Sequence, residues 1–384
     1  MPKRAAGSIG RDAAPLQIVG VQAIPLLLPL KKPMLMGGGQ RFERSETLVV
    51  RIEAQSGLTG WGEASAAPTM TGDTLPGMVA AIDSHLAPRL IGRNALDRAR
   101  LSRELATAVI GNTGAKSACD IALNDLIGRH LNVSMTELLG GSVRDSVLTM
   151  CLLGNASVAE DIAEARALVR KGYRFFKLKV GVKRVEEEIE AAFAVRKVIG
   201  AEAVLCADAN MGMTKDAARK YVLGAADAGL AFLEQPFRDT DLAATLDLAR
   251  SSPIPLCADE SAHSLESIID WQRAGAIGGV NLKMIKLGGI GATMRAAIVA
   301  DTLGLAIDLA GKIAESSIAT AALVHLGYTI PNLDWGLNPT SHYLAEDIVT
   351  KPLAPHQGSS ERPTGAGLGI DIDERALRRY RAKL

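Results

Sequence analysis

Two hydrophobic periodicities divide the chain into regions. Strand-like runs of apolar residues, such as LQIVGVQAIPLLL and ETLVVRIEA, fill residues 16 to 63. Residues 74 to 131 then carry apolar positions at helical spacing, most clearly in the segment AKSACDIALNDLIGRHL. An antiparallel sheet followed by helices predicts an α+β domain over residues 16–141.

The pattern changes after residue 145, where short apolar runs alternate with helical stretches rich in Ala, Glu and Arg. Polar residues stand near the ends of the predicted strands, roughly 24 to 29 residues apart, which is about the length of one β/α unit. They are Lys179, Asp208, Glu234, Asp259, Lys283, Asp308 and Asp334. Eight strands at this period predict an α/β fold with a barrel of the TIM type over residues 142–350. An open doubly wound sheet is the alternative, but no G-x-G-x-x-G motif follows an early strand.

The two ends of the chain differ from both regions. Residues 1–15 lack a continuous apolar segment, which predicts a flexible leader and no secretory signal. The stretch PTGAGLGIDIDERALRRY is glycine-rich and then helical, so we expect residues 351–384 to return and pack on the N-terminal domain. Three consecutive glycines at positions 37–39 predict a mobile loop between the first two strands.

Composition and charge exclude several classes of partner. Hydrophobic residues make up 48% of the chain and charged residues 22%, which is typical of a globular protein with a sizeable core. The formal net charge is +1 without a basic block, which argues against nucleic acid as a partner. No apolar run approaches the ~20 residues that cross a membrane. The four cysteines show no C-x-x-C spacing, which predicts buried reduced thiols and a cytoplasmic protein.

Three acidic residues end consecutive predicted strands. In a barrel the carboxyl ends of neighbouring strands meet at one rim, so Asp208, Glu234 and Asp259 should converge. Three converging carboxylates cannot all stay ionised without a positive counter-charge. Oxygen ligands of this kind suit a hard divalent cation, so the pattern predicts a Mg²⁺ site, with Mn²⁺ as the alternative ion. Taken singly, each acid is equally compatible with a helix cap or a surface ion pair.

The segment RFFKLKVG puts two lysines on the same face of one predicted strand. Lys177 and Lys179 disfavour each other's protonation, so we expect the pKa of one of them to fall toward neutrality and make it a general base. Lys283 lies on the sixth predicted strand, with the three strands of the acids between it and Lys179, which places it across the barrel from Lys179. Lys286 follows three residues later, and a structural ion pair is the role we expect for it.

The motifs KLK, DAN, EQP, ADES and NLKMIKLGG together resemble the enolase superfamily, specifically its muconate lactonizing enzyme subgroup. GWGE at residues 60–63, the long helical segment above and GAGLGIDID also match the family, so the resemblance covers nearly the whole chain. It implies a modified (β/α)₇β barrel with the N-terminal α+β region as a capping domain. It also implies a small carboxylate substrate and a homo-oligomer.

The resemblance implies roles for the residues already singled out. Asp208, Glu234 and Asp259 would hold Mg²⁺, and Lys179 and Lys283 would act as acid and base on opposite faces of the substrate. Lys177 would neutralise the substrate carboxylate and depress the pKa of Lys179. The shared chemistry is removal of the proton α to a carboxylate through an enediolate, and a bound cation stabilises the oxyanion as it forms.

The substrate-contact candidates are Arg41, Asn210, Glu315 and Asp334. Dipeptide epimerases of this subgroup carry Asp-x-Asp on strand eight, whereas this chain has Asn332 and Asp334, which disfavours dipeptides. By resemblance the specificity loops are residues 33–43, where Arg41 is a cation between the glycines and the second strand, and residues 67–73. Glu315 is also compatible with a plain helix-start acid.

Several functions therefore stay open. A lactonizing cycloisomerase comes first, ahead of an amino-acid or dipeptide racemase or epimerase and of an acid dehydratase. The mandelate racemase subgroup is disfavoured because the predicted seventh strand, LAIDLAGKIAESS, has no histidine. A catalytically idle barrel that only binds a ligand would have lost a carboxylate or lysine, and none is missing. A phosphate-binding barrel could use residues 286–292 as an anion-holding helix start.

Overall fold

The computed structural model describes residues 16–36, 40–154 and 157–384. The leader expected over residues 1–15 and the glycines at 37–39 lie outside this description. Among the described residues, every helix is too short or too polar to span a bilayer.

The N-terminal part of the chain begins with a three-stranded antiparallel sheet of strands β1 (Ile18–Met36), β2 (Gln40–Ala54) and β3 (Thr59–Ser65). Its register pairs Val49 with Glu63, so the GWGE motif lies in the middle of the sheet. Five helices follow, in which a short π-helical segment continues the first. They are α1 (Leu75–Ala81), α2 (Ala87–Leu90), α3 (Arg98–Ala108), α4 (Thr113–Leu131) and α5 (Met135–Leu138). The predicted order of sheet and then helices is confirmed.

Helix α4 is buried on nearly all its faces, whereas the sequence pattern predicted one apolar face. One side packs on β3, where Gly60 and Gly62 let the two backbones approach closely. The other side reaches the barrel, so Ile121 belongs to a different apolar cluster from Ala118. The helix needs apolar or hydrogen-bonded residues all round because it lies between two layers.

The second part of the chain is an eight-stranded parallel sheet in which each strand lies beside its chain neighbours. Its strands are β4 (Met150–Leu153), β5 (Phe175–Lys179), β6 (Val204–Asp208), β7 (Leu233–Glu234), β8 (Leu256–Ala258), β9 (Gly279–Leu282), β10 (Ala306–Ala310) and β11 (Gly336–Asn338). A parallel bridge between Thr149 and Leu337 brings the last strand to the first and nearly closes the barrel. The predicted barrel is therefore confirmed, and the doubly wound alternative is wrong.

α-Helices connect consecutive barrel strands, whereas β11 is followed directly by only a 3₁₀ turn at Ser341–Tyr343. They are α6 (Val158–Arg170), α7 (Val185–Ile199), α8 (Lys215–Gly224), α9 (Leu242–Ser251), α10 (Leu265–Arg273), α11 (Met284–Leu287), α12 (Ile290–Thr302) and α13 (Ser317–Thr329). This is the (β/α)₇β arrangement that the resemblance implied. A last helix, α14 (Glu374–Arg379), lies near β1, where the Leu27 amide donates to the Tyr380 carbonyl oxygen at 3.0 Å.

The bottom of the barrel is filled by apolar and sulfur-containing side chains. Cys206 and Cys257 pack there with Met150, Phe175, Phe232 and Trp335. All four cysteines are buried and free, as the sequence predicted. The polar residues at the other end of the strands thus lie above a layer of buried apolar side chains.

Glu63 joins the β1–β3 sheet to the barrel. Its buried carboxylate accepts hydrogen bonds from the backbone N–H groups of Ser316 at 2.8 Å and Ala319 at 3.0 Å, at the start of α13. Unpaired N–H groups at a helix start favour a negative partner, and here that partner comes from a strand 253 residues earlier in the chain. The contact holds the sheet over the C-terminal end of the barrel.

Replacement of Gly62 by alanine should destabilise the protein by about 1–3 kcal/mol or more, because the added Cβ would lie 2.0 Å from the Ala118 carbonyl oxygen. Urea unfolding followed by circular dichroism measures the loss. Gly20→Ala is the matched control, since the nearest atom to its Cβ would be 3.8 Å away. Equal stability of the two variants would contradict close packing of β3 on α4.

His325 on α13 provides a pH-dependent term in stability. Its Nδ1 accepts from the Thr136 hydroxyl at 2.8 Å and its Nε2–H donates to the Leu368 carbonyl oxygen at 3.2 Å. Burial lowers the pKa of His325 to about 4, so the folded protein holds the neutral ring. The neutral form is fully favoured above the unfolded value of about 6.5, and the stability it supports is lost as the pH falls from there toward 4.

Between pH 7 and pH 5, wild-type protein should therefore lose roughly 2 kcal/mol of unfolding free energy through this residue. His325→Gln should be less stable at pH 7 but lose that much less on acidification. The measurement is urea unfolding at both pH values, with His85→Gln on the exposed surface as control. A pH dependence identical in the wild type and His325→Gln would refute this assignment.

Candidate active site

A cavity of about 60 Å³ lies at the C-terminal ends of the barrel strands. Its wall includes Met70, from the predicted specificity loop at residues 67–73, so the β1–β3 domain contributes to it. Parallel strand pairing places three charged residues side by side at the base of the cavity, since Lys179 lies opposite Asp208 and Asp208 lies opposite Glu234. One row of the barrel thus carries a cation and two acids side by side.

Lys177 and Lys179 lie on β5, whose five residues are all buried. Lys179 donates to Asp208 Oδ2 at 2.6 Å and to the side-chain oxygen of Asn210. Lys177 donates to Glu234, with a second carboxylate, Asp308, at 3.5 Å. The two like charges are tolerated one residue apart because each lysine has its own carboxylate partner.

The expected lowering of a lysine pKa does not occur at Lys177. Burial by itself would lower the pKa of Lys177, but the negative charges of Glu234 and Asp308 outweigh it and raise the pKa well above the usual value. Lys177 is therefore a fixed cation, which suits attraction of an anionic group and not proton abstraction. The sequence argument considered only the neighbouring lysine and could not include acids from other strands.

The three acids predicted to bind a metal are all buried in this region. Burial raises the pKa of Glu234 to about 8. The attraction of Lys177 acts against this shift, and the repulsion of Asp208 and Asp259 adds to it. The pKa of Asp208 is lowered, because Lys179 and Lys177 outweigh the effect of burial. Lys283 and Lys286 likewise outweigh burial at Asp259 and hold its pKa well below the usual range.

Asp259 lies behind the cavity wall, next to Lys283, which lines the cavity. Lys283, just after β9, donates to one of its oxygens, and Lys286 donates to the other at 2.6 Å. Lys286 also donates to the Asn281 carbonyl oxygen at 2.8 Å, and the Asn281 amide donates to Glu234 at 2.7 Å. Lys286 thus has the structural pairing we expected, although its partner is a candidate metal ligand.

The oxygen atoms around the three acids are the candidate ligands for a divalent cation. Among the described residues, no three His, Cys, Asp or Glu side chains are gathered closely enough to hold a metal, since each of the three acids turns to a lysine. Buried oxygens of Glu260, Asn281 and Asp308 nevertheless have no hydrogen-bond partner in the described part of the chain. An all-oxygen set of this charge fits Mg²⁺ or Mn²⁺ by its chemistry.

Two of the substrate-contact candidates lie close to this cluster. Asn210 lines the cavity, and its backbone has a φ of +40°, which asparagine tolerates better than most residues. Glu315 is buried just before α13, in a smaller cavity that Lys283 and Lys312 also line. Burial, and then the negative charge of Glu63, raise the pKa of Glu315 to about 8.

The other two substrate-contact candidates are elsewhere. Asp334 is exposed before β11 begins, and its carboxylate accepts from the Ile307 amide at 3.0 Å, near the start of β10. It stands at the opposite end of the barrel from the cavity. Arg41 is exposed on β2 and pairs with Glu43 at 3.3 Å. Neither residue lines the cavity in this structure.

The predicted position of strand eight along the chain was wrong. The sequence pattern assigned the strand to NLDWGLN with Asp334 near its end, whereas β11 starts two residues after Asp334 and ends at Asn338. Asn338 is the residue that lines the cavity. The missing Asp-x-Asp at Asn332 and Asp334 therefore carries no information about dipeptides.

Sequence reasoning also missed Lys312, which lines the cavity from the segment after β10. It lies two residues beyond the end of β10, and the only signal in the sequence was a lysine close to a predicted strand end. The proposed anion-holding helix start at residues 286–292 is already capped: Gly291, in the first turn of α12, donates to the Asp120 carboxylate at 3.3 Å. A bound phosphate there would meet that carboxylate.

Comparison with known proteins gives the same family over both parts of the chain. Residues 19–140 match the mandelate racemase/muconate lactonizing enzyme N-terminal domain, and residues 160–376 match the enolase C-terminal domain-like family. Muconate cycloisomerase 1 of Pseudomonas putida is 33% identical over 88% of this chain and 91% of its own length.

Two solved structures support the same relationship. Muconate lactonizing enzyme from Pseudomonas fluorescens, complexed with muconolactone, superimposes with a TM-score of 0.90 at 29% identity, covering 95% of this chain and 99% of that one. N-succinyl Arg/Lys racemase from Bacillus cereus gives 0.89 at 26% identity, covering 96% and 98%. The chain therefore belongs to the muconate lactonizing enzyme subgroup of the enolase superfamily, an enzyme family whose compared members are isomerases.

Proposed function

We propose that the protein is a Mg²⁺-dependent isomerase that forms an enediolate at the carbon α to a carboxylate, and that it acts as a lactonizing cycloisomerase on a small carboxylate. The observation that carries the proposal is the pair Lys179 and Lys283, which line one cavity from strands on opposite sides of three buried acids. Similarity to muconate cycloisomerases over most of the chain supports the lactonizing reaction.

Asp208, Glu234 and Asp259 are the residues that would hold the metal. Members of this family are metal-dependent, and the three acids are buried close to the cavity as an all-oxygen donor set. When bound, a divalent cation supplies charge that stabilises the enediolate oxygens.

Lys177 holds the substrate carboxylate by its permanent charge, because it stays protonated beside Glu234 and Asp308. In a lactonizing reaction, a carboxylate oxygen at the other end of the substrate adds to a carbon–carbon double bond that is conjugated with the first carboxylate. The electron pair of that double bond moves toward the first carboxylate, which becomes an enediolate. Lys179 then delivers one proton from its Nζ to the α carbon, which restores the carboxylate. Met70 and the rest of the cavity wall limit access of water to that carbon.

A racemase or epimerase is the second candidate. Lys283 lies after β9, three strands beyond the β6 acid Asp208, so it faces the substrate from the side opposite Lys179. A neutral lysine on one face can remove the α proton, and a protonated lysine on the other can return one with inverted configuration. The N-succinyl Arg/Lys racemase among the similar structures favours including this reaction.

The metal site predicts a stoichiometry. After dialysis against EDTA, the protein should bind one Mn²⁺ per chain, as measured by electron paramagnetic resonance titration. Asp208→Asn, Glu234→Gln and Asp259→Asn should each weaken binding by more than about tenfold, because each removes one anionic ligand. Asp247→Asn on the exposed surface is the control. Unchanged affinity in all three variants would refute the site, independently of any activity.

The lysine assignment predicts two separable defects. The assay is α-proton exchange in D₂O with Mg²⁺, followed by NMR, over muconate, muconolactone, N-succinyl amino acids and dipeptides. Lys179→Ala should reduce exchange or turnover by ~10²–10⁴-fold, the range for a positioned acid or base. In a racemase, Lys283→Ala should retain exchange from one enantiomer only; in a cycloisomerase it should reduce turnover without this stereochemical bias.

Lys197→Ala, on the exposed side of α7, controls for general effects of removing a lysine. Wild-type exchange by Lys179→Ala would rule out its role. Exchange of no carboxylate by the Mg²⁺-loaded wild type would reject the proposed function.

A further inference from the structure

Lys312 differs from the other lysines of the cavity because none of the described carboxylates forms an ion pair with it. Lys177, Lys179 and Lys283 each form an ion pair with a carboxylate. Within the described part of the chain, no carboxylate lies within ion-pair distance of the Lys312 ammonium. The Lys312 ammonium lies over the face of Phe42, 5.2 Å from the ring centroid.

The position of Lys312 is separate from the acid cluster. It follows β10, whereas the metal-ligand candidates belong to β6, β7 and β8. Asn338 and Thr340 contribute to the cavity wall beside it, and the Thr340 hydroxyl donates to the Lys312 carbonyl oxygen at 2.6 Å. The backbone of this segment is thereby held while the ammonium is left for another partner.

Phe42 brings the N-terminal domain into the same contact. It lies on β2, so its ring reaches Lys312 across the boundary between sheet and barrel. An aromatic face stabilises an ammonium but does not neutralise it. It also displaces water, which strengthens attraction between the ammonium and an incoming anion.

The surroundings of Lys312 disfavour its positive charge. Burial, and then the positive charge of Lys283, lower the pKa of Lys312 to about 8. The negative charges of Glu315 and Asp259 act in the opposite direction, but a Glu315 oxygen accepts the Lys312 backbone N–H at 3.1 Å and forms no ion pair with the ammonium. The fold thus keeps a cation where its charge is disfavoured, and a ligand anion would relieve that cost.

We propose that Lys312, covered by Phe42, binds a second anionic group of the substrate, remote from the carboxylate whose α carbon reacts. Lys312 is then the residue that makes the enzyme select dicarboxylates over monocarboxylates. This inference rests on the proposed function, in which the first carboxylate is held by Lys177 and the metal site.

The test compares two ligands that differ only at the remote end. Adipate and hexanoate have the same carbon chain, but hexanoate ends in a methyl group where adipate has its second carboxylate. Isothermal titration calorimetry with the Mg²⁺-loaded protein should show adipate binding roughly 10- to 100-fold more tightly, the range for a hydrogen bond to a charged group. Lys312→Met should remove this preference while leaving hexanoate affinity unchanged.

Lys312→Arg should retain most of the preference, and Lys215→Met on the exposed start of α8 should retain all of it. These two variants separate the charge of Lys312 from packing and from the net charge of the protein. Equal binding of the two ligands by the wild type, or a preference that survives in Lys312→Met, would overturn the inference alone. An equal loss of both ligands in Lys312→Met would also overturn it, since that indicates a structural role. Failure of both ligands to bind the wild type would overturn the proposed function together with this inference.

Discussion

The pairing of buried lysines with buried carboxylates at the mouth of the barrel is the constraint on which the rest of the site depends. Parallel register brings Lys179, Asp208 and Glu234 into one row, and none of them could stay charged there alone. Removing one partner of such a pair typically costs about 3–5 kcal/mol, so each residue of the cluster is held by the others. The pairing of lysines with carboxylates keeps these charges stable in a buried site, and it also brings them close together.

The N-terminal domain is held over that mouth by contacts that are themselves polar and buried. Glu63 caps the start of α13, and Asp125 on α4 accepts from the Trp61 amide at 2.9 Å and from the Leu368 amide at 2.7 Å. These carboxylates satisfy backbone groups of the sheet, the barrel and the C-terminal segment at once. The position of Met70 in the cavity wall and that of Phe42 over Lys312 therefore depend on the interface between the domains.

The proposals divide the cavity into two regions with different tasks. The acids and lysines on β5 to β9 perform the chemistry common to the family, while Lys312 and Phe42 meet the remote end of the substrate. This division is physically reasonable because proton transfer requires groups locked by mutual pairing, whereas recognition of a substrate anion requires a cation that the protein has not already neutralised. The pKa of Lys177, raised by its acids, and that of Lys312, lowered by burial and Lys283, express the two situations.

The sequence by itself determined the order of sheet and helices, the barrel and the row of polar strand ends, because periodicity and strand-end position are local properties of the chain. It did not determine the charge state of Lys177, whose partners Glu234 and Asp308 are 57 and 131 residues away. It misplaced the end of strand eight, because a three-residue strand leaves too short a pattern, and so Asp334 was assigned where Asn338 lies. Only the tertiary structure decided which charges are paired, and therefore that Lys312 is left without an acidic partner in the described chain, because pairing and burial depend on distances between segments that are far apart in the sequence.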